Sequence, residues 1–435
     1  MKHSFFGGVH PADRKELSAF GELKVLENPK QVVISMSQHI GVPCTPSVAV
    51  GDQVKKGQKI GDGTGLCVPV HASVSGEVIA VEPRRHPNGK EVLSVVIEND
   101  FKNTMDKAMV SHEDYKKLTK DEIISIIREA GIVGMGGAAF ATNIKAAVEE
   151  KIDTLLVNAC ECEPYITADD VLLRTKAEQV LEGIKIIARI LKPERIVLAV
   201  EDNKKAAIEV LKKQLSGKDK IELMVLPTIY PQGAEKQLVQ AVTGREIAPG
   251  KLPASAGCVV FNAATYAAVY QAVCLGQPVT ERIVTVTGEA VNNPANFMVP
   301  IGTSFEELIY AAGGLKETVW KVINGGPMMG IAQADLSAPI VKGTNAILCL
   351  STEQNREAEN GNCIRCGKCV YVCPMNLQPL YMYSYGKKED VAALDRLHLM
   401  DCIECGSCSY ICPARIPLVE QFRIGKQLVK EEKSK

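Results

Sequence analysis

The chain has 435 residues, a formal net charge of −1, and 46% hydrophobic against 23% charged residues, so it reads as globular and without a dominant field. A length of this order holds roughly two to four domains, and the near-neutral balance excludes a global attraction for nucleic acid. No apolar run reaches the ~18 to 20 residues of a membrane helix. The opening "MKHSFFGGVH" has no apolar signal core, so an intracellular chain is expected, with peripheral contact to a membrane partner left open.

Residues 1–27 read as an N-terminal extension. From 28 to 100, short alternating runs such as "QVVISMSQHIG" and "EVLSVVIEN" are broken by turn residues, which predicts a small all-β domain. The pair "VAVGDQVKKGQKIG" and "VHASVSGEVIAVE" looks like the two halves of a biotinyl/lipoyl-type barrel-sandwich hybrid. The hairpin between them, "DGTGLCVPVHAS", has no lysine to modify, so the module is expected to be structural.

Residues 101–282 follow a polar, Lys-rich connection with alternating strands and helices. "KIDTLLVNACECEP" and "ERIVLAVED" read as strands and "AEQVLEGIKIIARILKP" as an amphipathic helix. Such alternation predicts an α/β domain with a largely parallel sheet. "AATYAAVYQAVCLG" reads as a core helix. Residues 283–331 give strand, turn, strand, a helix capped by Thr303 or Ser304, and a returning strand, resembling a ligand-binding β-grasp unit. A helical tail at 353–425 carries most of the cysteines, and "KQLVKEEKSK" reads as a charged, frayed end.

Of 15 cysteines, eight fall in two cassettes, "GNCIRCGKCVYVCPMN" and "MDCIECGSCSYICPAR". Each is C-x2-C-x2-C-x3-C followed by proline, a spacing that suits 4Fe–4S clusters better than zinc. In two-cluster ferredoxins the fourth cysteine of each run serves the other cluster. Cys363, Cys366, Cys369 and Cys412 are therefore assigned to one cluster, and Cys402, Cys405, Cys408 and Cys373 to the second. The seven scattered cysteines are expected to be small buried apolar residues.

"GIVGMGGAAF" (131–140) holds four glycines and can offer backbone N–H groups to a phosphate, or be a plain tight turn. It is not a Walker loop. A helix rather than a strand precedes it, so the partial match at Gly134, Gly136 and Ala139 is not a Rossmann fingerprint. "NACECEP" (158–164) puts Glu161 and Glu163 at a strand end, where α/β ligand sites lie.

With "YPQGAE" (230–235) and "FNAAT" (261–265), these stretches resemble the flavin- and NADH-binding subunit of respiratory complex I. That family carries a loop ending G-A-G-F-P, then N-A-D-E-x-E-P, Y-x-x-G-E-E and Asn-Val-Glu-Thr in the same order. Ala141, Cys160 and Ala234 depart from it, replacing Pro, Asp and the first Glu. Adding "FFGGVHPADRK" (5–15), the β module and the tandem cassettes, the chain is similar over nearly its whole length to the C-subunit family of the Rnf ion-translocating electron-transport complexes.

The resemblance implies a multidomain α/β and β architecture. Its parts are a barrel-sandwich hybrid, an α/β flavin/NADH domain of complex I type, a β-grasp (SLBB) domain and a C-terminal helical two-cluster 4Fe–4S ferredoxin-like domain. It implies an NADH-linked oxidoreductase with FMN, NAD(H) and two 4Fe–4S clusters, exchanging electrons between ferredoxin and NAD while partner subunits move ions. Its expected partners are the membrane subunits of an Rnf-type complex and a ferredoxin-linked, cluster-bearing subunit, on the cytoplasmic side of the cell membrane. The N–H groups around Gly134, Gly136, Gly137 and Ala138 would hold the FMN phosphate, with Lys145 nearby. Asn158, Glu161 and Glu163 would lie near flavin and nicotinamide, and Glu235 and Asn262 would face them. No side chain is required as nucleophile or base. Rival readings are an NADH-dependent cobalamin reductase of a microcompartment and a non-catalytic iron–sulfur relay.

Overall fold

The computed structural model describes residues 4–26, 29–215, 220–355 and 361–434. The expected boundary at 27/28 lies outside the described residues, as do residues 356–360 near the start of the expected cluster domain.

The first module is two antiparallel sheets. Gln31–Ser35, Glu91–Asn99, Gly76–Arg85 and Gln53–Val54 form one, and Thr45–Pro46, Lys59–Asp62 and Val70–His71 the other. Val32, Ile34, Val78, Val95 and Ile97 alternate inward with near-zero exposure and make its core. Each such side chain contributes about 2 kcal/mol of burial.

A helix at Lys120–Glu129 opens the α/β domain. Thr119 and Glu122 close a reciprocal capping box around its first turn, and Ile123 and Ile127 are its buried face. The parallel sheet runs in the order Ile221–Leu226, Arg195–Glu201, Thr154–Ala159, Cys258–Asn262. The chain order reverses between Thr154–Ala159 and Cys258–Asn262, a switch point beyond which ligand crevices form. Behind the sheet the helices Ala177–Leu191 and Ala263–Leu275 touch backbone to backbone. A Cβ on Gly183 would lie 1.9 Å from the Tyr266 carbonyl, so that position accepts only glycine.

The β-grasp sheet is wider than the 283–331 stretch suggests. Its hairpin, Glu281–Thr287 with Ala295–Pro300, gains Ala346–Ser351, Val319–Asn324 and Ile331–Gln333 on one side and Lys24–Val25 on the other. Ser304, not Thr303, caps the helix Phe305–Ala311 by accepting from the Glu307 N–H.

The cassettes sit on short helices, Lys368–Tyr371 and Ser407–Ile411, braced by Pro379–Gly386, Val391–Arg396 and Leu418–Lys433. Residues 426–433 of the expected frayed end are the last part of that final helix, and residue 435 lies outside the described residues. Val429 is fully buried, and Lys433 Nζ pairs with Asp395 Oδ1 at 2.7 Å, so the helix continues where charge density alone suggested fraying.

Candidate functional site: an open glycine loop beside two sulfur cages

The glycine loop is held from behind by two buried cations. Lys342 Nζ donates to the carbonyls of Gly131 and Pro69, each at 2.7 Å. Arg282 donates to the Met135 carbonyl at 3.0 Å and to the carbonyl of Lys342. The Gly134 N–H is closed onto the Phe140 carbonyl at 2.7 Å, and Met135 N–H onto Thr265 Oγ1 at 3.0 Å. Gly134 therefore shapes the loop, whereas the N–H groups of Gly136, Gly137 and Ala138 have no partner among the described residues. Gly137 has φ +108° and open space where a Cβ would be, while a Cβ on Gly136 would sit 3.3 Å from Asn262 Cβ. Thr142 Oγ1 and Asn143 Oδ1, just after the loop, are buried without a partner. Lys145 pairs with the Glu235 carboxylate and lies 5.5 Å from the centre of the Phe261 ring.

Facing this loop is the turn that follows Thr154–Ala159. Asn158 Nδ2 donates to the Gly233 carbonyl at 2.7 Å, tying that turn to "YPQGAE". Glu161, at φ +50°, accepts from the Asp169 N–H at 2.6 Å and the Asp170 N–H at 3.3 Å. These are the first amides of the helix Ala168–Thr175, where a carboxylate is favoured. Asn262 caps its own helix through Ala264 N–H and donates to Asp169 Oδ2 at 2.6 Å. Glu163 reaches the β-grasp unit, accepting from Met328 N–H at 3.1 Å and Met329 N–H at 2.9 Å.

Beneath the acidic turn lies Lys15. Its ammonium donates to the carbonyls of Glu161, Glu163 and Ile166 at 2.9, 3.0 and 2.5 Å. Burial pushes the Glu163 carboxyl up to about 7 against the pull of its two amides. Glu161 is pushed up by burial and by the neighbouring Asp169, with Lys15 opposing. Burial thus works against the charged form of both carboxyls, while their backbone amides and Lys15 work for it.

The eight cassette cysteines form two cages. Cys373, Cys402, Cys405 and Cys408 line one cavity of about 350 Å³, mouth included. Cys363, Cys366, Cys369 and Cys412 line another of about 460 Å³. Among the described residues no three His, Cys, Asp or Glu side chains converge closely enough to hold a single ion. A four-iron cluster instead takes four thiolates around a cube, and four cysteines line each cavity. The cages repeat at the backbone. Arg365 and Glu404 have φ +55° and +54°, Gly367 and Gly406 +74° and +81°, and the N–H groups of Arg365 and Glu404 donate to Cys363 and Cys402 Sγ at 3.4 Å. Solvent separates them: Cys363 and Cys366 are exposed, while Cys373, Cys405 and Cys408 are buried.

The buried cage abuts the α/β domain. Tyr230 Oη donates to the Cys405 carbonyl at 2.7 Å, and Gln237 Nε2 to the Pro374 carbonyl at 3.1 Å. Tyr230, Lys15, Asp169 and Arg282 were not singled out from the sequence. Tyr230 lies within "YPQGAE" and Lys15 ends "FFGGVHPADRK", so both could have been; Asp169 and Arg282 carry no local signal.

A flavin phosphate fits the open amides and the orphaned polar atoms at 142 and 143, and two four-iron clusters fit the cages. Fold and site define a flavin- and iron–sulfur-dependent electron-transfer protein. Family models match four parts of the chain: an RnfC barrel sandwich hybrid domain at 3–102, a Nuo51 FMN-binding domain at 127–271, an SLBB domain at 283–332 and a 4Fe-4S dicluster domain at 362–416. The C subunit of the Na(+)-translocating ferredoxin:NAD(+) oxidoreductase complex of Acetobacterium woodii is 46% identical, over 98% of this chain and 97% of its own. Its counterpart in the proton-translocating ferredoxin:NAD(+) oxidoreductase complex of Clostridium ljungdahlii is 42% identical over 89% and 86%. The C subunit of an ion-translocating oxidoreductase complex of Cronobacter sakazakii is 43% identical over 96% of this chain and 54% of that longer protein. An NAD+-reducing NiFe-hydrogenase, in its H2-reduced state, shares the fold, with a TM-score of 0.50 at 19% identity over 74% of this chain and 65% of that one. The chain belongs to the C-subunit family of the ion-translocating ferredoxin:NAD(+) oxidoreductase complexes. No helix among the described residues is long and apolar enough to cross a membrane.

Proposed function

We propose that this chain is the NAD(H)-linked electron-transfer subunit of a membrane-bound ferredoxin:NAD(+) oxidoreductase, docked peripherally on the cytoplasmic side. Ion movement belongs to partner subunits. The observation that carries the reading is the 2.7 Å hydrogen bond from Tyr230 to the Cys405 carbonyl. It joins the crevice wall directly to a four-thiol cage.

Bound flavin would supply the exchange between a two-electron hydride and single electrons, which neither nicotinamide nor a cluster can do alone. The protein's share is to bind, orient and exclude water. The open amides of Gly136, Gly137 and Ala138 would donate to the flavin phosphate, and Lys145, steadied by Glu235, adds positive charge. Asn158 and Asn262 hold the crevice walls in place through Gly233 and Asp169. Glu161 and Glu163 would face flavin and nicotinamide and hold or release a proton at their carboxyl oxygens.

Electrons would pass first to the cage of Cys373, Cys402, Cys405 and Cys408, which touches the crevice. They would pass next to that of Cys363, Cys366, Cys369 and Cys412, whose exposed cysteines suit exchange with a cluster-bearing partner. Anaerobic purification followed by NADH addition tests this. Flavin and cluster absorbance should both bleach; cluster absorbance without flavin, unresponsive to NADH, would overturn it.

A further inference from the structure

The opening motif "FFGGVHPADRK" is the one distinctive sequence feature that the reading above leaves without a task. It is not an appendage to the β module. Residues 7–9 thread between the α/β domain and the buried cage. The Gly8 N–H donates to the Val372 carbonyl at 2.9 Å, and Val9 and Tyr230 exchange both backbone hydrogen bonds, at 2.8 and 2.9 Å. Val372 immediately precedes Cys373, the sulfur this cage takes from the other cassette.

The fit admits no side chain at either glycine. A Cβ on Gly7 would lie 2.9 Å from the Val372 carbonyl oxygen and 3.0 Å from the Cys373 carbonyl carbon. One on Gly8 would lie 2.8 Å from the Tyr230 carbonyl oxygen. Both glycines have positive φ, +80° and +85°. Three backbones thus lie stacked: Tyr230, the Gly7–Gly8 segment and the Val372–Cys373 turn. Glycine is the residue that permits such an approach. Val9 is buried in the same small apolar cluster as Tyr230 and Cys405, and Phe5 is buried just before it.

The geometry points to Gly7–Val9 as a positioning strap that sets the separation between the α/β crevice and the buried cage, and hence the rate of electron transfer into it. The inference rests on the NADH–flavin–cluster reading above. In the step concerned one electron leaves the flavin side and one cluster gains it; the strap neither donates nor accepts. Its spacing matters because tunnelling falls steeply with distance. It also lies against the backbone of Cys373, and exposure and hydrogen bonding near the ligating sulfurs are among the factors that set a cluster's potential.

The test uses the full chain with Gly7→Val, and with Gly7→Ala as the milder wedge should the valine variant lose iron. Variants are compared only at wild-type iron and flavin content. After rapid mixing with NADH, flavin bleaching should keep its wild-type rate while cluster bleaching slows about tenfold or more. In a dithionite titration followed by electron paramagnetic resonance, one cluster's potential should move and the other's stay. Wild-type cluster bleaching together with two unmoved potentials would overturn the strap. If wild-type protein does not respond to NADH at all, the proposed function fails, and the titration alone decides the strap.

Discussion

Tyr230 and Cys405 are joined by one hydrogen bond, Oη to carbonyl, across the seam between the α/β domain and the buried cage. The tyrosine is 2% exposed, so water does not replace the bond when it is lost. Tyr230→Phe leaves the Cys405 carbonyl without this donor, a cost of about 1–3 kcal/mol. The expected outcome is a lower thermal midpoint and slower cluster bleaching by NADH. A rapid-mixing trace that matches wild type would show that the bond carries no functional weight.

The cages differ in exposure, and the proposed route makes the buried one the first to be reduced. Cys366→Ala strikes the exposed cage and Cys405→Ala the buried one. Loss of the exposed cluster should leave the other reducible by NADH. Loss of the buried one should leave flavin bleaching intact and the remaining cluster oxidised. Paramagnetic resonance after brief NADH exposure distinguishes the two, and identical spectra would refute the order.

Gly136 backs onto Asn262, with only 3.3 Å between a built Cβ and the asparagine Cβ. Gly136→Val must push the loop away from the crevice. We expect the purified variant to lose flavin while retaining its full complement of iron. Unchanged flavin content would place the phosphate elsewhere.

Lys15 is the sole cation donating to three carbonyls of the acidic turn among the described residues. Lys15→Met removes all three bonds at a buried position and should cost about 2–4 kcal/mol. The thermal midpoint and flavin retention should fall together. Lys15→Arg cannot seat a planar guanidinium on three converging carbonyls and should rescue only in part. Full stability of the methionine variant would contradict this role.

Glu163 gives a pH dependence with a defined sign. Burial raises its carboxyl from 4.5 to about 7, so the folded chain holds this proton more tightly than the unfolded chain does. The stability it contributes is complete below the ordinary carboxyl value and is lost as pH rises through the folded one. Thermal midpoints should therefore fall from about pH 5 to about pH 8. Glu163→Gln, which cannot ionise, should flatten that slope. A slope unchanged in the variant would assign it to other groups.

The parts legible in the sequence were those written in short local patterns. Two cassettes with the same spacing made the grouping of Cys373 with Cys402, Cys405 and Cys408 readable in advance, and the structure rings these four around one cavity. The glycine loop was readable too, but not that Gly134 closes it internally while Gly136, Gly137 and Ala138 stay open. That distinction depends on Phe140 and Thr265, which fold back on it. The strand Ala346–Ser351 is buried at every position, and its unbroken apolar run was a usable signal that went unread. Lys15 and Gly8 stand in the singled-out motif "FFGGVHPADRK", but what they tie together was beyond reach. Their partners lie 146 to 151 and 364 positions away, and nothing around them marks an ammonium or a glycine pair as a tie.

The bond between Gly8 and Val372 also has a temporal meaning. A ribosome adds about 5–20 residues per second, so the strap emerges tens of seconds before the turn it must meet. Until then it has no backbone on one side to lie against. Residues 7–9 thus reach their final place only after the residues near 372 have been made, and the seam between crevice and cage closes later than the local contacts on either side of it.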